Sequence, residues 1–267
     1  MDSTILTPRL RLTLVMTAER GSNELERIHE LRSDEKASWW SISGRAKTIE
    51  ETEKVLKSIL PNAANTGEGK SYRIAYMIHE LLSSNGDSIS RENLPTRFIG
   101  LVALHSVGPN DLALPDHFFP ALTFSPECLN MVLAYQFLPA AWGKGYATES
   151  VNTVLEACGK RKKFWDSYEK VFVRAIVNSE NPASQRVMAK TGMTGLGVHE
   201  WVGDELWLGG SGGPGTICIS MVACFIIQEM TYSRIRVTLQ GGNIIERFIK
   251  PTHFHTVKQA QKDSSNV

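Results

Sequence analysis

The sequence has few of the features that mark a secreted, metal-binding or membrane protein. Its 267 residues include four cysteines, with no C-x-x-C pair and far too few for a disulfide scaffold. The first residues lack the apolar segment of a signal peptide, and no later run approaches the ~18 apolar residues of a membrane span. We therefore expect a cytoplasmic protein with reduced core thiols and no membrane partner.

Charge gives equally little reason to expect a nucleic-acid partner. The chain carries 29 basic and 28 acidic side chains, for a net charge of +1, so there is no global attraction to polyanions. The one basic run, at 160–163, lies at a predicted helix end, where cations complement the helix dipole. His199, His253 and His255 lack ligand-like spacing, and we expect no metal site.

Periodicity predicts a chain in which strands and helices are mixed, and so an α/β fold. Helices are predicted at 22–32, at 48–60 after a capping box that pairs Thr48 with Glu51, at 147–160 and between Asn181 and Gly192. Seven strands are predicted, at 9–14, 72–79, 98–104, 131–138, 171–177, 198–202 and 216–227.

The remaining segments read as loops and a C-terminal extension. Polar connections are predicted at 61–70 and 83–95, a proline-rich insertion at 108–126, and a flexible glycine-rich connection at 209–215. We expect a single domain over 1–230, followed by an extension over 231–267. That extension holds a predicted hairpin, 235–239 with 244–249, and a disordered tail. The hairpin could pair edge strands between two copies of the chain, which gives a homodimer.

A glycine loop stands where a strand ends and a helix begins. Gly143 and Gly145 lie two apart in W-G-K-G-Y-A-T-E, residues 142–149, so side chains are missing where backbone would wrap a ligand. The N–H groups at the following helix N-terminus favour an anion such as a pyrophosphate. A dinucleotide fingerprint would need glycine where Thr148 stands, and a P-loop would need Ser or Thr after Lys144.

A second string, N-S-E-N-P-A-S at 178–184, follows the next strand and opens its own helix. The two strings in this order resemble the GNAT acetyltransferases, most closely the branch of N-terminal acetyltransferases of bacterial ribosomal proteins. The likeness spans about 7–197, with 216–227 as a closing strand. The broader GNAT signature has Gln or Arg where this chain has Ala140, whereas Trp142-Gly143 is the form that the resembled branch uses.

The resemblance implies a GNAT fold: a central, mixed, mostly antiparallel sheet of about seven strands flanked by helices, here with loop insertions. It also implies acetyl-CoA as co-substrate. The pyrophosphate would bind the loop and helix start, at Trp142, Gly143, Lys144, Gly145, Tyr146, Ala147 and Thr148. The pantetheine arm would lie in a gap of the sheet between Phe137 and Leu138 on one side and Asn178 and Asn181 on the other.

Acetyl transfer needs an uncharged amine, a donor for the developing oxyanion and a proton for the leaving thiolate. The resemblance implies a backbone N–H near Leu138 as the oxyanion donor and Ser184 as the acid, directly or through water. For the base the candidates are Tyr135, His105 and Glu200, and a water chain could replace all three.

The leading hypothesis is therefore an N-acetyltransferase that passes acetyl from acetyl-CoA directly to an amine. The acceptor is a peptide or protein α-amine, as the resemblance suggests, or a small-molecule amine, toward which the loops at 80–96 and 106–130 could narrow the acceptor cleft. The alternative is a non-catalytic acyl-CoA-binding or interaction module with a GNAT fold. The missing obvious base and the extra C-terminal hairpin motivate that alternative.

Overall fold

The computed structural model describes residues 1–60, 72–82, 90–108, 111–112, 114–165, 167–201, 217–227, 234–238 and 244–248, with backbone alone from 199 onward. The predicted loops at 61–70, 83–89 and 209–215, His253, His255 and the tail lie outside the described residues. The chain divides into two compact units, Met1–Gln228 and Glu229–Val267.

The first unit contains five α-helices and nine strands in the described part of the chain. The helices are α1 (Asn23–Ser33), α2 (Glu35–Ser38), α3 (Ile49–Ile59), α4 (Tyr146–Lys160) and α5 (Pro182–Lys190). The strands are β1 (Thr4–Leu6), β2 (Leu10–Leu14), β3 (Arg73–Leu81), β4 (Thr96–Ser106), β5 (Cys128–Phe137), β6 (Lys170–Asn178), β7 (Thr194–Gly195), β8 (His199–Trp201) and β9 (Ile217–Ile227).

These strands form one sheet in the order β1-β2-β3-β4-β5-β6-β9-β7, and β8 also pairs with β9. Every pairing is antiparallel except that of β5 with β6. The predicted mixed, mostly antiparallel sheet is therefore confirmed. The two strands that the sequence did not predict are β1 and β7, which have three and two residues.

Side-chain caps explain where the helices begin. Thr48 accepts a hydrogen bond from the Glu51 N–H at 3.3 Å, while the Glu51 carboxylate accepts one from the Lys47 N–H at 2.7 Å. Asn181 caps α5 by accepting from the Ser184 N–H at 3.0 Å. These caps satisfy N–H groups that have no partner inside the helix, as the sequence predicted.

The core lies on both faces of the sheet. On one face α4 buries Val151, Val154, Leu155 and Cys158, the four positions predicted from helical spacing. Leu25, Ile28 and Leu31 of α1 and Leu56 of α3 pack against the other face. Cys128 and Cys158 are free buried thiols, and burial raises the pKa of the Cys158 thiol to about 12.

The second unit contains β10 (Arg234–Thr238) and β11 (Ile244–Phe248), which pair antiparallel. The turn between them lies outside the described residues. None of the helices in the described ranges is both long and apolar enough to span a membrane.

Candidate active site

A gap opens between the carboxyl ends of β5 and β6. The two strands pair in parallel from Cys128 with Lys170 to Val132 with Arg174, and there the pairing ends. Beyond that point β5 still pairs with β4 as far as Phe137, and β6 still pairs with β9 as far as Asn178. The two strand ends are therefore not paired with each other, and this is where the resemblance implies a gap for an extended ligand arm.

The backbone of β5 presents Phe137 rather than Leu138 to this gap. The Leu138 N–H donates to the Ile99 carbonyl and the Leu138 carbonyl accepts from the Ala141 N–H, both at 2.9 Å, so both groups are already engaged. Because neighbouring residues of an antiparallel strand point their N–H groups to opposite sides, the N–H of Phe137 faces away from β4. It is directed into the gap, so Phe137 is the residue near Leu138 whose N–H can serve a ligand there.

The side chain of Trp142 is hydrogen-bonded to the backbone carbonyl of Phe137. Its indole Nε1–H donates to the Phe137 carbonyl at 2.8 Å, while the Trp142 backbone N–H donates to the Pro139 carbonyl at 3.1 Å. The backbone N–H of Trp142 is therefore not available to a ligand, contrary to the sequence-based expectation. The side chain instead ties the loop to the end of β5.

The loop after Trp142 forms an open cradle of backbone donors. Gly143 and Gly145 have φ angles of +74° and +79°, a conformation that favours glycine. A Cβ atom at Gly143 would meet no heavy atom of the described residues within 4 Å, apart from Gly143 itself and its chain neighbours. The N–H groups of six consecutive residues lack a hydrogen-bond acceptor in the described part of the chain: Gly143, Lys144, Gly145, Tyr146, Ala147 and Thr148.

The electrostatics of this cradle suit an anion. It lies at the start of α4, where the helix dipole places partial positive charge and where Gly145 provides no side-chain cap. Lys144 forms no ion pair with a described carboxylate. The Tyr146 hydroxyl donates to Glu80 at 2.6 Å, which together with the nearby cations Arg97 and Lys144 lowers the pKa of that carboxyl. A pyrophosphate therefore fits the cradle by charge and by space.

The two asparagines border the gap on the β6 side. The Asn178 Oδ1 accepts from the Glu180 N–H at 2.8 Å, and the Asn181 Oδ1 accepts from the Ser184 N–H. Both side-chain oxygens are thus occupied in shaping the turn between β6 and α5. The amide NH₂ groups are the donors that each residue can offer to a ligand.

Tyr135 and Ser184 meet across the gap. The Tyr135 hydroxyl lies 2.5 Å from the Ser184 Oγ, so two of the four predicted catalytic residues come together. Burial raises the pKa of Tyr135 to about 12, although the hydrogen bond with Ser184 acts in the opposite direction. Tyr135 is therefore a neutral phenol near pH 7, which suits a proton donor and not the base that the sequence suggested.

His105 lies apart from this pair. It stands opposite Val132, whereas Tyr135 stands opposite Val102, and this odd offset places the two side chains on opposite faces of the sheet. Its Nε2 lies 2.9 Å from the Asp111 Oδ1, and its buried Nδ1 has no hydrogen-bond partner among the described residues.

Asp111 holds His105 in place. Burial acts to raise the pKa of the Asp111 carboxyl, but hydrogen bonds with His105 and the Gly108 N–H outweigh it, and the pKa is lowered. The structure therefore gives His105 a charged partner without bringing it to Tyr135 and Ser184.

The Glu200 backbone is separated from the gap by two strands. In β8 it stands opposite Cys218 of β9, so β9 and β6 separate its backbone from the gap. Its side chain lies outside the described part of the structure.

One group of residues at the loop was not predicted from the sequence. Arg9 donates from Nε and Nη2 to the Glu149 Oε2 at 2.8 and 2.6 Å, and from Nη1 to the Lys144 carbonyl at 2.9 Å. Thr7 donates to the other Glu149 oxygen at 2.5 Å. Glu149 belongs to the glycine-loop string, but nothing in that string signals partners 140 positions away.

The chain resembles known proteins both in sequence and in fold. Residues 11–194 match the family model described as the acetyltransferase (GNAT) domain. A GNAT-family acetyltransferase from Bacillus anthracis has a similar fold, with a TM-score of 0.50 and 18% identity over 84% of this chain and 98% of that one. No curated protein sequence matches the chain.

Two further solved structures are more distant. The ribosomal-protein-S5-alanine acetyltransferase from Vibrio fischeri has a TM-score of 0.47 and 14% identity over 83% of this chain and 97% of its own. Spermidine N-acetyltransferase from Vibrio cholerae, solved with CoA and spermine, has a TM-score of 0.45 and 15% identity over 80% of this chain and 95% of its own.

Proposed function

This chain belongs to the GNAT acetyltransferase family, and we propose that it transfers the acetyl group of acetyl-CoA directly to an amine. The observation that carries the proposal is the row of N–H groups from Gly143 to Thr148, at the mouth of a gap that contains the Tyr135–Ser184 pair. An anion cradle and a proton donor at one gap are what a coenzyme A thioester requires.

Binding follows from the donors at this gap. The N–H groups at the start of α4 and the charge of Lys144 bind the pyrophosphate. The pantetheine arm lies between β5 and β6, within reach of the Phe137 N–H on one side and the amides of Asn178 and Asn181 on the other. In this arrangement the arm replaces the pairing that β5 and β6 lose after Val132 and Arg174.

Bound acetyl-CoA supplies an activated acyl group, whose bond to sulfur breaks as a bond to the amine nitrogen forms. The Phe137 N–H donates to the thioester oxygen as negative charge develops on it. The Tyr135–Ser184 pair donates a proton to the leaving sulfur, because both hydroxyls are neutral near pH 7 and share one hydrogen bond.

The arrangement favours a weakly basic acceptor amine. An α-amine has a pKa of about 8 and a lysine-like amine one of about 10.4, so the α-amine loses its proton more readily. Of the predicted bases, Tyr135 is protonated, His105 lies on the other face of the sheet from it, and the Glu200 backbone is separated from the gap by two strands. We therefore propose a peptide or protein α-amine, with water taking its proton, ahead of a small-molecule amine.

A panel of acceptors tests this function. Purified protein with acetyl-CoA is mixed with short peptides, polyamines and amino acids, and free thiol and acetylated product are quantified together. The proposal predicts amine-dependent release of thiol in equal amount to product, greatest with peptides. Activity on small amines alone would remove the peptide assignment. Coenzyme binding with no turnover on any amine would instead favour a non-catalytic acyl-CoA-binding module.

A further inference from the structure

The segment that precedes β2 contacts the glycine loop through the side chain of Arg9. Arg9 is bound to Glu149 in the first turn of α4 and to the carbonyl of Lys144 within the loop. Its guanidinium also lies over the Tyr146 ring, 4.7 Å from the ring centroid. One side chain therefore joins the N-terminal segment to the loop and to the helix that follows it.

We propose that Arg9 is a positioning residue for the coenzyme: it fixes the peptide between Lys144 and Gly145 so that the Gly145 N–H faces the pyrophosphate. This inference rests on the proposed coenzyme-binding function. Arg9 acts through the loop backbone and need not touch the ligand.

The planarity of the peptide bond ties the direction of the Gly145 N–H to that of the Lys144 carbonyl. In a trans peptide the C=O and the N–H point in opposite directions. When Arg9 draws the Lys144 carbonyl toward itself, the Gly145 N–H must point to the other side of the loop. That side is the open cradle described above.

The glycines make this control necessary. Gly145 has a φ of +79°, and glycine adopts positive and negative φ at similar cost. The Lys144–Gly145 peptide can therefore rotate if nothing holds it, and a rotated peptide would present its carbonyl oxygen to the anion. The hydrogen bond from Arg9 selects the donor orientation.

Arg9 is itself well anchored. Glu149 receives Arg9 on one carboxylate oxygen and Thr7 on the other, and the Glu149 N–H donates to the Gly145 carbonyl at 3.1 Å. Because Glu149 balances the charge of Arg9, the contribution of Arg9 comes from the direction of its N–H groups. Lysine carries the same charge but lacks the planar fork that reaches two acceptors at once.

The experiment compares CoA binding by calorimetry in wild type, Arg9→Gln, Arg9→Lys and Arg11→Gln. Arg11 is the matched control, because it lies two residues further along in β2 and its guanidinium donates to the carbonyls of Arg91, Glu92 and Leu94. We expect both Arg9 variants to lose CoA affinity about tenfold, and Arg11→Gln to lose none. The Arg9 side chain is 48% exposed, so we expect these variants to fold.

Two readouts separate positioning from general damage. In wild type the Gly145 amide resonance should shift strongly when CoA is added, and in Arg9→Gln this shift should be lost while distant amides are unchanged. In turnover the KM for acetyl-CoA should rise, whereas kcat and the KM for the amine stay close to wild type.

The outcomes distinguish this inference from the proposed function. Wild-type protein that binds no CoA would overturn both. Wild-type protein that binds, with Arg9→Gln binding equally well, would overturn the inference alone. Wild-type affinity in Arg9→Lys would also overturn it, since charge and not orientation would then suffice.

Discussion

The Tyr135 hydroxyl lies 2.5 Å from the Ser184 Oγ, and this contact joins β5 to the first turn of α5. Tyr135 lies near the end of β5, and β5 is held there by its pairing with β4. Ser184 is fixed because its N–H is bound to the cap residue Asn181. Two rigid elements therefore hold the two hydroxyls together beside the gap.

Replacing either hydroxyl should slow transfer. We expect Ser184→Ala and Tyr135→Phe each to lower kcat by about a hundredfold, the size of a typical general acid effect. The double variant should be little worse than either single one, because the two groups act as a unit. Steady-state kinetics with saturating acetyl-CoA measure this effect.

Calorimetry with CoA provides the control for these variants, because neither hydroxyl belongs to the pyrophosphate cradle. Affinity should stay within a few-fold of wild type. Wild-type kcat in both single variants would exclude the pair as the proton donor.

Alkaline stability should depend on Tyr135. Its folded pKa of about 12 lies above the unfolded value of about 10, so the folded state retains a proton that the unfolded state has lost. The stability that this provides is full below about pH 10 and is lost as the pH rises through the folded pKa. The free energy of unfolding, measured with urea across this pH range, should decline more steeply for wild type than for Tyr135→Phe. Equal slopes would mean that burial does not perturb Tyr135.

A large side chain at position 143 should block the coenzyme. Gly143→Trp places an indole in the open space of the cradle, and we expect CoA affinity to fall about a hundredfold or more. Gly21→Trp is the matched control, because Gly21 also has a positive φ, +81°, and a Cβ there would likewise meet no heavy atom of the described residues within 4 Å beyond its chain neighbours. Both variants carry the backbone strain, so normal CoA binding by Gly143→Trp would show that the pyrophosphate lies elsewhere.

Gly100 should be essential for the shape of β5 at the gap. A Cβ atom at Gly100 would lie 2.5 Å from Cδ1 of Phe137 and 2.6 Å from the Gln136 carbonyl oxygen. Gly100→Ala must therefore displace Phe137, and we expect a loss of about 1–3 kcal/mol in the free energy of unfolding together with weaker CoA binding. Urea unfolding and calorimetry measure the two effects.

Gly108→Ala is the comparison for this site, because the nearest atom to its built Cβ is 3.8 Å away. It should bind CoA as wild type does. Equal behaviour of the two alanine variants would show that the close approach at Gly100 does not set the gap.

Family membership and most of the fold could be predicted from the sequence because the relevant signals are local. The helix face at Val151, Val154, Leu155 and Cys158 depends on spacing alone, and the cap at Asn181 depends on its immediate neighbours. The family prediction is confirmed by the match over residues 11–194. The strands β1 and β7 were missed because two or three residues are too few to show alternation.

The finer features of the site depend on contacts between distant segments. The alternation that turns Leu138 toward Ile99, and so leaves Phe137 facing the gap, depends on the register of β5 against β4. The link from Arg9 to Glu149 spans 140 positions. The separation of His105 from Tyr135 likewise follows from register. Local patterns contain no information about these pairings.

The most direct test of the account is a calorimetric titration of the wild-type chain with acetyl-CoA. We predict saturable binding of one coenzyme per chain, competed by CoA and much weaker for acetyl-pantetheine, which lacks the pyrophosphate that the Gly143–Thr148 cradle is proposed to bind. No binding at millimolar acetyl-CoA, or equal affinity for acetyl-pantetheine, would contradict the central claim.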